Sequence, residues 1–146
     1  MADSRAGRRA GSAGRRAGYL VAAVINCVFL YLVNVWPTWL AVPFLTESTR
    51  EILPLLNASF IVAVGVNLID FVFDRAWLKA LGDLVGAIIG LLVSVRLWLV
   101  FPFDFGASAV DWVTVARIAL IAAIAGSAIA IIVQLVVLVR AAVRAA

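Results

Sequence analysis

Histidine is absent from the 146 residues, and cysteine occurs once, at Cys27. Without histidine, this chain holds no histidine-base serine protease site, no histidine-dependent lipid phosphatase site and no histidine-ligated metal or haem. One cysteine forms no intrachain disulfide and no CxxC redox pair. No nucleophile–base pair is legible, so a non-enzyme is expected, with no catalytic residues, no cofactor and no metal. Charge is scarce too. Charged residues make up 14% of the chain against about a quarter in soluble domains, and hydrophobic residues make up 66% against about half. These absences exclude an ordinary soluble globular domain. A hydrocarbon core of about 30 Å needs about 20 residues per helix, so the chain is long enough for four crossings with short loops. The expected class is an all-α polytopic membrane protein, an antiparallel four-transmembrane-helix bundle.

What charge there is has a pattern. The formal net charge is +4, and eleven of the twelve basic residues are arginine. They cluster beside apolar runs, which argues for a membrane surface and against nucleic acid. Residues 1–17, "MADSRAGRRAGSAGRRA", are small and basic and read as a disordered cytoplasmic tail. The apolar run after it lacks a small-residue cleavage pattern, so it reads as an uncleaved first span, about 18–36, ended by Pro37. "PTWLAVPFL" (37–45) is too short and too proline-rich to cross and suggests an interfacial segment. Ser48 and Glu51 have capping-box spacing ahead of span two, about 51–73, with Pro54 in its early turns. "DRAWLKALGD" predicts a short amphipathic helix capped by Asp74 and broken at Gly82. Asp83 then caps span three, about 84–102, and Asp111 caps span four, about 112–139. Residues 141–146 form a second short tail.

Orientation follows from the loops and tails. Arg5, Arg8, Arg9, Arg15, Arg16, Arg75, Lys79, Arg140 and Arg144 fall on one side, and only Arg50 on the other. Nine against one predicts that both termini face the cytoplasm of a bacterial inner membrane. The aromatic residues agree, with Trp36, Trp39, Trp98, Phe101, Phe103 and Trp112 at the outer level and Tyr19, Phe73 and Trp77 at the inner one.

Helices in lipid associate through close packing of small residues. Gly86, Gly90 and Ser94 form such a stripe on span three, and Ala122, Gly126 and Ala130 on span four. The two spans are therefore expected to pack antiparallel along these stripes. Span two carries a polar face of Ser59, Asn67, Asp70 and Asp74, while span one places Asn26 and Asn34 together. Asparagines inside a span seek partners across helices. An intramembrane carboxylate is costly, so Asp70 either pairs with Arg75 or Lys79 near the cytoplasmic end or serves as an ion or proton site.

Arg96 and Arg117 interrupt the oiliest stretches. Counting about 1.5 Å per residue from Phe103 and Asp111, both lie roughly 9–10 Å below the outer rim, within snorkelling reach. Three roles stay open: neutralisation by Glu47, Glu51, Asp104 or Asp111; binding of lipid phosphates or another anion; or lining an anion path.

"NVWPTWLAVPFLTESTREILPLLNASF" together with "VRLWLVFPFDF" resembles a group of uncharacterised four-helix membrane proteins from high-GC actinobacteria, over most of residues 19–140. That resemblance implies the fold and no activity. "SFIVAVGVNLIDFVFDRAW" is similar in pattern to the second span of the GtrA-like family, four-helix proteins linked to moving polyprenyl-phosphate sugars. It implies that Asn67 and Trp77 match an asparagine and an aromatic near the cytoplasmic end. The glutamate within span one of small multidrug exporters and the GGxxGA run of fluoride channels are missing. The expected role is a non-catalytic component that binds membrane lipid, a partner membrane protein or another copy of itself. The alternative is a small transporter or polyprenyl-lipid flippase accessory working through the polar face of span two.

Overall fold

A computed structural model describes residues 2–146, with side chains from residue 5 onward. It is all-helical in its long elements: α1 (Ala2–Asn34), α2 (Leu53–Phe73), α3 (Ala76–Val100) and α4 (Trp112–Ala145). All four are long and apolar enough to cross a membrane. Two single 3-10 turns, Trp39–Ala41 and Glu47–Glu51, fill the loop between α1 and α2. The helices pack in chain order, α1 on α2, α2 on α3 and α3 on α4. Among the described residues, no backbone of α4 comes close to α1 or α2. Few side chains are buried within the chain, Ala23, Ile52, Ala80 and Leu120 among them, while large residues such as Ile118, Ile132 and Leu99 stand out. Apolar exterior of this kind is what lipid solvates, because acyl tails are as apolar as leucine.

Four local expectations are corrected. The basic segment expected to be a disordered tail is the first half of α1. Alanine and arginine are strong helix formers, and the downstream span already supplies the nucleus for propagation. An ion pair from Arg15 to Asp74 then fastens the segment to the α2–α3 junction. At roughly 1.5 Å per residue, α1 and α4 are each about 50 Å long, so both overreach a 30 Å core. Their excess lies at the same, basic end.

The capping box does not form. Ser48 and Glu51 lie in a 3-10 turn, and Ile52 stands at the start of α2 with no side-chain cap. Glu51 is drawn instead toward Arg96, and Glu47 pairs with Arg50. Pro54 falls in the first turn of α2, where a missing N–H costs nothing.

The short amphipathic helix and span three are one continuous α3. Asp74 ends α2 in a left-handed conformation (φ 42°), which aspartate tolerates better than most residues. Asp83 is no cap; it sits one turn after Lys79 and holds its ammonium at 2.9 Å. Gly82 does not break the helix, because α2 passes so close that a Cβ there would lie 2.5 Å from Val66 Cγ1. Asp111 is the cap expected of it, its carboxylate accepting Thr114 N–H at 3.1 Å. The bonds from Thr114 hold that carboxyl below the usual carboxylate range.

The small stripe on α4 is not the contact surface. Ala122 and Gly126 are exposed, and a Cβ on Gly126 would meet nothing within 4 Å. Of that stripe only Ala130 is partly covered, beside a row of less exposed positions, Arg117, Leu120, Ile124, Ser127, Ile131, Gln134, Leu138 and Ala141, that alternate in steps of three and four. That is a heptad seam, so α4 lies on α3 as in a coiled coil. Of the two stripe glycines on α3, Gly90 approaches the seam, with Ser127 Oγ 3.5 Å from its Cβ position, and Gly86 has open space.

At the end opposite the basic tails the two loops clasp each other. Leu45 and Phe103 form an isolated antiparallel bridge, Thr46 N–H donates to Pro102 O (2.9 Å), and Asp104 N–H donates to Phe44 O (2.8 Å). The buried Pro102 sits at the centre of this clasp.

Candidate functional site

The polar face and the glycine stripe, two separate features in sequence, meet in one groove. α1, α2 and α3 enclose a space of about 480 Å³ whose polar walls are Asn26, Ser59, Asn67, Asp83 and Ser94. Gly82, Gly86 and Gly90 contribute floor in place of side chains. The groove lies within the length of all three spans, where an unsatisfied polar group is expensive.

Each polar residue solves that problem locally. Asn26 donates its amide to Ala22 O (2.8 Å) and Asn67 to Ala63 O (2.7 Å). Ser59 donates to Leu56 O (2.6 Å) and Ser94 to Gly90 O (2.7 Å). These back-bonds use donors and leave acceptors. The Asn26 and Asn67 amide oxygens and both serine oxygens keep lone pairs directed at no other described group, and the Asp83 carboxylate closes the basic end with Lys79. The groove thus presents more acceptors than donors. One N–H of each asparagine also stays free, so a hydroxyl, which both donates and accepts, complements the groove, and an ammonium meets its acceptors.

Asn34, expected on the same face as Asn26, also faces α2 but is not a wall of the groove. It exchanges two hydrogen bonds with Asn57 of α2, at 2.8 and 2.9 Å, and clamps α1 to α2. Phe29 and Phe60 stack below it with ring centres 5.9 Å apart. Asn57 was not singled out from sequence, although an asparagine inside a span that lacks a local partner is the signal for such a pair.

Asp70 is 3% exposed, and neither Arg75 nor Lys79 pairs with it. Lys79 is held by Asp83 and lies 5.7 Å from the Tyr19 ring centre. Asp70 instead lines a mostly apolar cavity of about 190 Å³ between α2 and α3. Val66 and Gly82 belong to this cavity and to the groove, so one side-chain layer separates the carboxylate from the larger space. Trp77, matched by resemblance to an aromatic near Asn67, is exposed at the start of α3 and is not a wall of the groove.

Arg15 reaches Asp74 through Nη2 (3.0 Å) and Nε (3.3 Å). This hydrogen-bonded guanidinium holds the Asp74 carboxyl below the usual range.

Arg96 and Arg117 are not brought to a common partner. Arg96 stands 3.6 Å from Glu51, both side chains about half exposed. Arg117 has no acidic partner among the described residues; its guanidinium lies 4.4 Å from the Trp98 ring centre and 4.0 Å from that of Phe101, and it donates to Trp98 O at 3.0 Å. Phe101 ends α3 in a left-handed conformation (φ 44°), which for a bulky side chain is a strained position. One arginine is therefore an ion-pair partner and the other an aromatic-held brace between α4 and the end of α3.

No protein-family model, curated protein or solved structure matches this chain.

Proposed function

We propose that this protein is a non-catalytic multi-pass component of the bacterial cytoplasmic membrane, both termini inside, that binds the hydroxyl- or ammonium-bearing headgroup of a membrane amphiphile in the α1–α3 groove. The observation that carries this reading is the intramembrane groove lined by unclaimed oxygen acceptors. Such a surface is costly against acyl chains and favourable against a polar headgroup. The nine-to-one distribution of basic residues supports the orientation. A photoreactive amino acid at Val62 or Ile89, on the groove wall, tests the reading directly. Cross-linked lipid should carry the adduct on its headgroup, whereas the same probe at the lipid-facing Ile132 should mark acyl chains. Acyl-only adducts at all three positions would refute headgroup binding.

A second reading is favoured by one observation, the buried and unpaired Asp70 beside the groove. In that reading the chain assists lipid or ion movement, and Asp70→Asn abolishes a pH-dependent flux in reconstituted vesicles without unfolding. Unchanged flux would reduce Asp70 to a structural residue.

A further inference from the structure

The loop clasp at the aromatic end builds a second cavity, larger than the groove and independent of it. It measures about 800 Å³, and Phe44, Phe105, Trp112, Asp104 and Ser108 are among its walls. The aromatic part is held rigidly. Phe44, Phe103 and Phe105 form a three-ring cluster with centres 5.5, 5.7 and 6.4 Å apart, and Phe103 meets Phe101 edge-on at 5.3 Å. The hydrogen bond from Asp104 N–H to Phe44 O fixes the Phe44 wall to the Asp104 wall.

Asp104 is the one charged side chain among the walls of this cavity. Asp104 Oδ1 accepts Gly106 N–H at 3.0 Å, in a turn that glycine permits at φ 61°. Asp104 Oδ2 has no partner among the described residues. Every arginine at this end is already engaged: Arg50 with Glu47, Arg96 with Glu51, and Arg117 with Trp98 and Phe101. What is left is an exposed, unneutralised carboxylate beside aromatic walls. Ring faces carry negative potential, and a diffuse cation with apolar methyl groups complements faces and carboxylate together. A compact hydrated cation gains less, because it must shed its water against an apolar wall.

We propose that this cavity is a binding site for an N-methylated ammonium group, with Asp104 as counter-ion and Phe44, Phe105 and Trp112 as its aromatic walls. The group comes from a lipid headgroup at that membrane surface or from a small solute. The two sources share the chemistry and are separable by experiment.

The test uses the full chain in a maltoside detergent, which has no ammonium of its own, and saturation-transfer NMR of N-methyl protons. Choline should show saturable transfer. Its uncharged isostere 3,3-dimethylbutanol should bind about tenfold more weakly or not at all. Asp104→Asn keeps the acceptor for Gly106 N–H and removes the charge, so it should weaken choline by a similar factor with unchanged thermal unfolding. Trp112→Leu, a second variant on a different wall, should also weaken choline. In nanodiscs, loss of the choline signal with phosphatidylcholine but not with phosphatidylglycerol identifies a headgroup as occupant, and retention in both identifies a free solute. Equal binding of choline and 3,3-dimethylbutanol, or full choline binding by a folded Asp104→Asn protein, would overturn the proposal.

Discussion

α3 has two kinds of neighbour. Toward α1 and α2 it offers Gly82, Gly86, Asp83 and Ser94, and what results is a groove and a small cavity. Toward α4 it meets a seam of Leu120, Ile124, Ile131 and Leu138 at heptad spacing, and among the described residues α4 packs on no other helix. The first side surrenders packing to keep polar groups and space inside the membrane. The second supplies the side-chain contact that steadies α3. In lipid, where burial of apolar surface gives no drive, a polar-lined space survives only if such neighbouring contacts hold its walls.

The sharpest contrast lies between two glycines. Gly82→Leu should destabilise the protein by about 3 kcal/mol, because Val66 is locked in its helical rotamer and cannot retreat. Gly126→Leu meets open space and should be neutral or slightly stabilising by helix propensity, by up to about 1 kcal/mol. Denaturant unfolding in detergent measures both, and equal effects would erase the distinction between the two sides of α3.

The arginines give the next contrast. Arg117→Met removes two ring contacts and a carbonyl bond from the α3–α4 junction and should cost about 1–2 kcal/mol. Arg96→Gln breaks only an exposed 3.6 Å pair and should cost less than about 0.5 kcal/mol. On the α1–α2 side, Asn34→Leu and Asn57→Leu should each cost about 0.6–1.7 kcal/mol, with the double variant much less than additive.

The smallest effect is a pH dependence at the basic end. The folded Asp74 carboxyl titrates below its unfolded value, so its pairing with Arg15 stabilises fully above the ordinary carboxylate range near pH 4. That contribution is lost as pH falls through the lower folded value. Hydrogen exchange of residues 5–17, compared between Asp74→Asn and the parent, should show earlier opening in the variant at neutral pH and no difference at strongly acid pH.

Long-range composition and short-range punctuation were not equally legible. The four spans follow from apolar length alone, since a single long apolar segment satisfies its own backbone in lipid only as a helix. Asp111 was legible as a cap because its bond is made three residues away. The Ser48–Glu51 pair, Asp74 and Gly82 misled because partners come from elsewhere, whereas Asp83 is taken by Lys79 one turn before it. Arg96 claims Glu51, Arg15 claims Asp74, and the approach of Val66 turns Gly82 from a breaker into a contact. The small stripes misled for a related reason. A run of small residues every fourth position marks either close contact or open space, and only the neighbouring helix decides which. On α3 it is mostly space, which is why Gly86 and Asn67 share a groove that neither pattern predicted.

Gly86 also offers the most direct test of that groove. Its Cβ position is empty to 4 Å, so Gly86→Leu fills the space with little steric conflict. Native mass spectrometry of the purified protein should show a retained lipid on the parent chain and its loss from Gly86→Leu, with both proteins unfolding at similar temperatures. A folded Gly86→Leu protein that retains the same lipid in the same proportion would contradict headgroup binding in the groove.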